Sequence, residues 1–187
     1  MLKRNVKEEK AIILDFLPHG YPFDTQPMYK KNPIAQAIGE NHFVLLELVP
    51  KKGVFLQPLE EVYIGEEKRE KIHHVIGKIE MDKLTETAKG EVVEIIKDMV
   101  KKEEKRFVEF FNKSQAINAR RHQIELLPGI GKRYMWDIIE QRDEREFESF
   151  ADIKDRIKLI PDPEKAIVKR ILAELGNEDK YRLFVEV

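Results

Sequence analysis

Along the first part of the chain, apolar positions come in short runs broken by glycine and proline. Ala11-Ile12-Ile13-Leu14-Asp15-Phe16-Leu17 is the first, ended by Pro18-His19-Gly20 and a proline-rich stretch to Pro33. His42 to Val49 is the second, stopped by the turn signal Pro50-Lys51-Lys52-Gly53. Val54-Phe55-Leu56, Glu61-Val62-Tyr63-Ile64 and Ile72 to Ile79 follow, the fourth closed by Gly65. β-Branched and aromatic residues bounded in this way predict strands. Ile34 to Ile38, between the first two, reads as a helical turn. Five short strands before residue 80 suit a small, incomplete barrel.

From Thr85 the period changes from two to between three and four. Val92, Val93, Ile96, Met99, Val100, Phe107, Phe110 and Phe111 recur at helical steps, which predicts one amphipathic helix of about seven turns. A second helix restarts near Ser114 and carries Ile117, Ile124 and Leu127. A third follows Gly131 to about Arg142 with Met135, Ile138 and Ile139 inward. Shorter helices are expected near Ala151 to Leu159 and Glu164 to Leu175, the last closed by Gly176-Asn177. The tail Tyr181-Arg182-Leu183-Phe184-Val185-Glu186-Val187 alternates like a strand, one able to return to the β-domain. The fold class expected is α+β, with a β-barrel-like domain over 1–84 and a helical domain over 85–187.

Composition narrows the class. With 42% hydrophobic and 37% charged residues, collagen-like and fully disordered chains are excluded. The apolar runs Ala11 to Leu14 and Phe43 to Leu46 fall far short of the roughly 20 residues that span a bilayer. The first ten residues are rich in charge and no signal-peptide apolar region follows, so a cytoplasmic location without membrane attachment is expected. No cysteine is present, which removes disulfides, thiolate zinc sites and thiol nucleophiles.

A formal charge of −1 hides an uneven distribution. Between residues 105 and 133, Lys105, Arg106, Lys113, Arg120, Arg121, Lys132 and Arg133 face only Glu109 and Glu125. Such a basic window within a near-neutral chain is a candidate footprint for phosphate. Inside it lies Leu126-Leu127-Pro128-Gly129-Ile130-Gly131-Lys132-Arg133, between two helical patterns. Proline stops the incoming helix, and the glycines leave the loop bare and free to adopt left-handed angles. Ile130 can drop between the helices. Backbone N–H groups at the start of the outgoing helix then form an anion site that the helix dipole reinforces.

This stretch resembles the helix-hairpin-helix family of nucleic-acid-binding modules, which hold a backbone phosphate largely without reading bases. Ile138-Ile139-Glu140-Gln141-Arg142 matches the family's outgoing helix, and Phe147-Glu148-Ser149-Phe150-Ala151-Asp152-Ile153 is similar to the linker joining two such motifs. Ile160-Pro161-Asp162-Pro163-Glu164-Lys165-Ala166 lies where a second hairpin belongs. Residues of about 114–175 thus resemble the tandem pair of bacterial DNA-uptake receptors. The whole chain resembles an uncharacterised archaeal family with an OB-like β-domain and this pair. That resemblance implies nucleic-acid binding, RNA ahead of DNA. It also implies no cofactor beyond a monovalent cation bridging loop carbonyls and phosphate. Met135 replaces the family's usual small residue, which implies a wider helix spacing. Asp162, Pro163 and Glu164 are read as replacing Gly-Ile-Gly, so the second hairpin is expected to be structural only.

Other chemistry finds little support. Arg133 stands where some hairpin-bearing DNA glycosylases carry a Schiff-base lysine, and guanidinium stays protonated. Asp152 lies at roughly the aspartate spacing of those enzymes, and the linker resemblance implies a cap or turn residue before the next helix. His73 and His74, adjacent on a strand, are expected to point to opposite faces and so not to chelate one ion. No Walker loop or hydrolase motif is present, so an enzyme is not expected. In the β-domain, Tyr21, Phe23, Tyr29, Phe43, Phe55 and Tyr63 with Lys30, Lys31, Lys51 and Lys52 offer a second surface for a strand of nucleic acid. Of these, Tyr29-Lys30-Lys31 is favoured because it lies in a proline-rich loop, and strand phenylalanines are expected in the core. Trp136 is expected to be packed between domains. The interface anticipated is Gly129, Ile130 and Gly131 as N–H donors, Lys132 and Arg133 neutralising the phosphate, Arg120 and Arg121 on a flanking one, and Tyr29, Lys30 and Lys31. The alternative is a protein-interaction adaptor in a translation or repair assembly.

Overall fold

A computed structural model describes residues 7–186. The charged start, Met1 to Val6, and the last residue of the anticipated tail strand, Val187, lie outside the described residues. The chain divides into two compact units, Met1–Ile95 with Leu175–Val187, and Ile96–Glu174. No helix among the described residues is long and apolar enough to cross a membrane.

The first unit is built on a curled five-stranded antiparallel sheet, a half-barrel. Its strands are β1 (Lys10–Leu17), β2 (Ile34–Gly39), β3 (Leu45–Pro50), β4 (Glu61–Tyr63) and β5 (Ile72–Lys78), in the order β4-β1-β2-β3-β5. Ala11, Ile13, Ala35, Ala37, Leu46, Leu48, Val62 and Ile72 form its core. Burying each large aliphatic side chain there contributes about 1.5–3 kcal/mol. Two expectations are corrected. Ile34 to Ile38 is not a helical turn but the central strand, with Ala35 pairing Leu48 and Phe16. Ala35 through Gly39 are buried without alternation, so the period-two signal is absent. Val54 to Leu56 is loop, not strand.

Buried Gln36 organises the chain around this strand. Its amide donates to the Tyr21 hydroxyl at 2.9 Å and to the Lys83 carbonyl at 3.0 Å, and accepts from Thr85 N–H at 2.8 Å. Thr85 Oγ1 donates to Asp15 at 2.6 Å and accepts from Ala88 N–H at 3.1 Å, at the start of α1 (Glu86–Lys102). Burial, and then the neighbouring Glu47 carboxylate that accepts from it, pushes the Tyr21 phenol up to about 12. The tail forms no strand among its described residues. Instead Glu186 N–H donates to the His42 carbonyl at 3.2 Å, with Phe184 and Val185 buried.

The anticipated seven-turn helix is two, α1 and α2 (Glu104–Lys113), broken at Glu103 with φ −106° and ψ 34°. The helix expected from Ser114 is also absent. In its place stand a two-stranded ribbon, β6 (Ala116–Asn118) with β7 (Arg121–His122), and a 3-10 turn, Gln123–Leu126. Asn118 Oδ1 accepts from Arg120 N–H at 2.9 Å, a side-chain-made turn that competes with the helical ladder. Then come α3 (Lys132–Glu144), α4 (Phe150–Arg156) and α5 (Pro163–Leu175). Phe107, Phe111, Ile124, Ile138, Ile153, Ile167 and Ile171 are buried, which accounts for the apolar spacing that predicted these helices.

Candidate functional site

The loop before α3 is assembled from its base upward. His122 caps the 3-10 turn, its Nδ1 accepting from Ile124 N–H at 3.1 Å while its own N–H donates to Glu125 at 2.8 Å. Burial, and then the Arg142 guanidinium, hold the His122 imidazole below its ordinary range. Leu127 is buried, Pro128 and Gly129 are exposed, and Ile130 is buried again with its N–H donating to the Leu127 carbonyl at 3.0 Å. Gly129 has φ +84°, a left-handed angle at which glycine costs least.

Gly131 is glycine for a different reason. It is the N-cap of α3 with φ −89° and ψ −175°, extended backbone open to any residue. A Cβ built there meets nothing within 4 Å. No side chain caps α3 and its first turn holds no acid. The first N–H groups of a helix have no carbonyl within the helix, so those of Gly131, Lys132 and Arg133 point out beside two exposed cations.

The loop before α5 follows the same backbone plan. Ile157 is buried, Lys158 and Leu159 are exposed, and Ile160 is buried with its N–H directed to the Ile157 carbonyl at 3.4 Å. Leu159, at φ +61°, stands where Gly129 stands in the first loop. This corrects the register: Leu159 and Ile160, not Asp162 to Glu164, correspond to Gly129 and Ile130. Asp162 is instead the cap, accepting from Lys165 N–H at 3.1 Å, and Pro163 opens α5. The two loops adjoin. A Cβ on Gly129 would lie 3.4 Å from Pro161, and the Tyr134 hydroxyl donates to the Leu159 carbonyl at 2.5 Å.

The remaining anticipated residues are dispersed. Arg120 lies in the β6–β7 turn and Arg121 in β7, both exposed and in the same unit as the first loop. The N–H of Ile130, read as a phosphate donor, is already engaged by Leu127, which leaves Ile130 as an anchor. Tyr29, Lys30 and Lys31 belong to the first unit. Tyr29 is 84% exposed, on a 3-10 turn Met28–Lys30, with Lys30 Nζ 5.9 Å from its ring centre. Phe43 is core, whereas Phe55, expected inside, is 77% exposed and meets Phe16 edge to face. Trp136 is 63% exposed, not packed away.

Asp152 accepts from Glu148 N–H while Ser149 accepts from Asp152 N–H, a reciprocal cap on α4. His73 and His74 bring their Nδ1 atoms within 2.8 Å, contrary to the opposite-face expectation. The β3–β5 register shifts between Val49 and Pro50, so the strand bulges at His73 and turns its side chain. No group of three or more His, Asp or Glu suited to a metal occurs among the described residues. Sequence reasoning missed Leu159 and Tyr134. The matching spacing of Leu127–Ile130 and Ile157–Ile160 was the signal that locates Leu159.

Residues 7–186 match the family model described as a protein of unknown function, DUF655. The uncharacterized protein MJ0038 of Methanocaldococcus jannaschii is 46% identical over 181 residues, 96% of this chain and 80% of its own length. The crystal structure of Af1531 from Archaeoglobus fulgidus, assigned to the same family, is 44% identical and superposes with a TM-score of 0.86. That match covers 96% of this chain and all of the other. A family match along nearly the whole length, joined to this agreement in structure, means that the chain belongs to the DUF655 family.

Proposed function

We propose that this chain is a helix-hairpin-helix protein that binds nucleic acid, RNA ahead of DNA, through backbone phosphate and without reading sequence. The observation that carries the reading is Gly131. Neither its backbone angles nor any neighbour requires glycine, yet a side chain there would stand over the uncapped N-terminus of α3. A bare position is what close approach of a phosphate to the backbone demands. The N–H groups of Gly131, Lys132 and Arg133 donate, the two cations neutralise, and Ile130 holds the loop down. Arg120 and Arg121 take a flanking phosphate. In the first unit the half-barrel serves as an OB-like platform, with exposed Tyr29 stacking on a base and Lys30 and Lys31 following the backbone.

The test is equilibrium binding to matched single- and double-stranded RNA and DNA over a salt series. A log–log slope of about −2 to −4 is expected, from the few counterions that one hairpin and its flanking arginines release. Gly131→Val is expected to fold as wild type and to lose at least roughly tenfold in affinity, since it sterically blocks a charge-assisted contact. Absence of binding at low salt, or undiminished binding by Gly131→Val, overturns the reading. The first outcome turns attention to the adaptor role with an acidic protein partner.

A further inference from the structure

We propose that Leu159 is an apolar wedge that enters a base step of a duplex beside the phosphate held at Gly131; this rests on the nucleic-acid reading above. Leu159 is 87% exposed and has φ +61°. A leucine in the left-handed region is strained, at a cost of order 1–3 kcal/mol. In the free protein its side chain gains no burial in return. Glycine or asparagine fits such a position with less strain, and the corresponding residue of the first loop is Gly129.

The tip is nevertheless held firmly. Its carbonyl accepts from the Tyr134 hydroxyl at 2.5 Å, Ile160 is buried just after it, and Pro161 lies against Gly129. Tyr134 is three residues along α3 from Gly131, about one helical turn, or roughly 5 Å. An apolar tip is thereby tied to the first turn of α3, the turn that Gly131 caps. Lys158 stands exposed next to it, and Lys132 and Arg133 lie on the first turn of α3. A strained, exposed leucine next to Lys158, on a tip held by Tyr134, suits a base stack. Side chains of this kind unstack a step when they enter from the minor groove. The ligand class is therefore a double helix, DNA or RNA, that opens readily at one step.

The experiment uses the full chain and four duplexes, DNA and RNA, each either perfect or with one unpaired base, all carrying 2-aminopurine at the interrupted step. Wild type is expected to raise the fluorescence and to bind the interrupted duplex several-fold more tightly, because the opening cost is already met in that ligand. The DNA and RNA arms identify which helix is opened. Leu159→Ala is expected to keep the salt slope while losing both the fluorescence rise and the preference. Leu159→Asn is expected to do the same with a melting temperature at or above wild type, which separates loss of the wedge from loss of fold. A Leu159→Ala protein that behaves as wild type overturns the wedge and leaves the phosphate reading standing. Wild type that binds duplexes without any fluorescence change does likewise. Failure of wild type to bind any nucleic acid overturns both.

Discussion

The loops before α3 and α5 share a skeleton and differ in what closes it. Each has a buried aliphatic, an exposed residue, a left-handed residue and a buried isoleucine whose N–H turns back to the first carbonyl. In the second loop Asp162 fills the helix N-terminus from within, and Pro163 removes an N–H. In the first, Gly131 leaves that terminus open and Lys132 and Arg133 follow. One copy satisfies its own helix dipole, and the other leaves it available to an external anion. The apolar half of the pattern maintains packing, so it survives in both copies. The polar half meets a cap in one loop and an open helix N-terminus in the other, so it differs between them.

The largest expected effect comes from cutting what joins the two copies. Arg170 Nε and Glu174 form an ion pair at 2.8 Å, 5% and 0% exposed, on the helix that follows the second loop. Arg170 also donates to the Leu126 carbonyl at 3.3 Å, directly before the first loop. Arg170→Met takes from Glu174 its guanidinium at 2.8 Å and from the Leu126 carbonyl a donor at 3.3 Å, and a loss of about 3–5 kcal/mol is expected in chemical denaturation. The double variant Arg170→Met/Glu174→Leu is expected to recover most of it, because the buried carboxylate is removed together with its guanidinium. A single variant costing under about 1 kcal/mol would show that the pair contributes no more than a surface bridge.

Exchanging the residues that differ tests the comparison more directly. Gly131→Asp gives the first loop the cap of the second, on extended backbone that already suits one. Stability is expected to rise by a few tenths of a kcal/mol, the usual margin between aspartate and glycine at an N-cap. Nucleic-acid affinity is expected to fall steeply, with the salt slope reduced by about one. Asp162→Gly, the reverse, is expected to lose a few tenths of a kcal/mol and to gain little affinity, since Pro163 still withholds a donor. Gly131→Asp that binds as well as wild type would remove the functional meaning of the difference.

Much of this was legible beforehand because apolar spacing reports packing. The starts of α3 and α5 and the loop with buried Ile130 and exposed Gly129 follow from residue pattern alone, and Asp152 as a cap from the resemblance to the linker. The failures share a physical cause. β2 is buried on both faces and built from small residues, so it carries no alternation. Asn118, His122 and Glu125 spend their side chains on local backbone groups, which replaced a helix by a ribbon and a 3-10 turn. Aligning the two loops on their polar residues, the part that differs, misplaces the second loop. Leu159 at φ +61° is held by the Tyr134 hydroxyl on its carbonyl, a contact between distant parts of the chain that residue type alone does not announce.

The smallest effect separates the bases of the two loops by pH. His122 sits under the first loop, and the second, from Ile157 to Pro163, has no histidine. In the fold, the neutral imidazole accepts from Ile124 N–H, and burial followed by Arg142 keeps it from protonating. The unfolded chain takes up its proton first, near pH 6.5. Stability is therefore full above that value and falls as pH drops below it, levelling only once the folded form also protonates. Asparagine offers a cap oxygen that does not titrate in this range. Denaturation of wild type and His122→Asn at pH 7.5 and 5.5 is expected to show a loss in wild type that the variant lacks. Because the folded imidazole stays neutral over this interval, phosphate affinity in wild type is expected to hold while its stability falls. His122→Asn should hold its affinity there too, and equal pH responses of stability in the two proteins would place the acid sensitivity elsewhere in the unit.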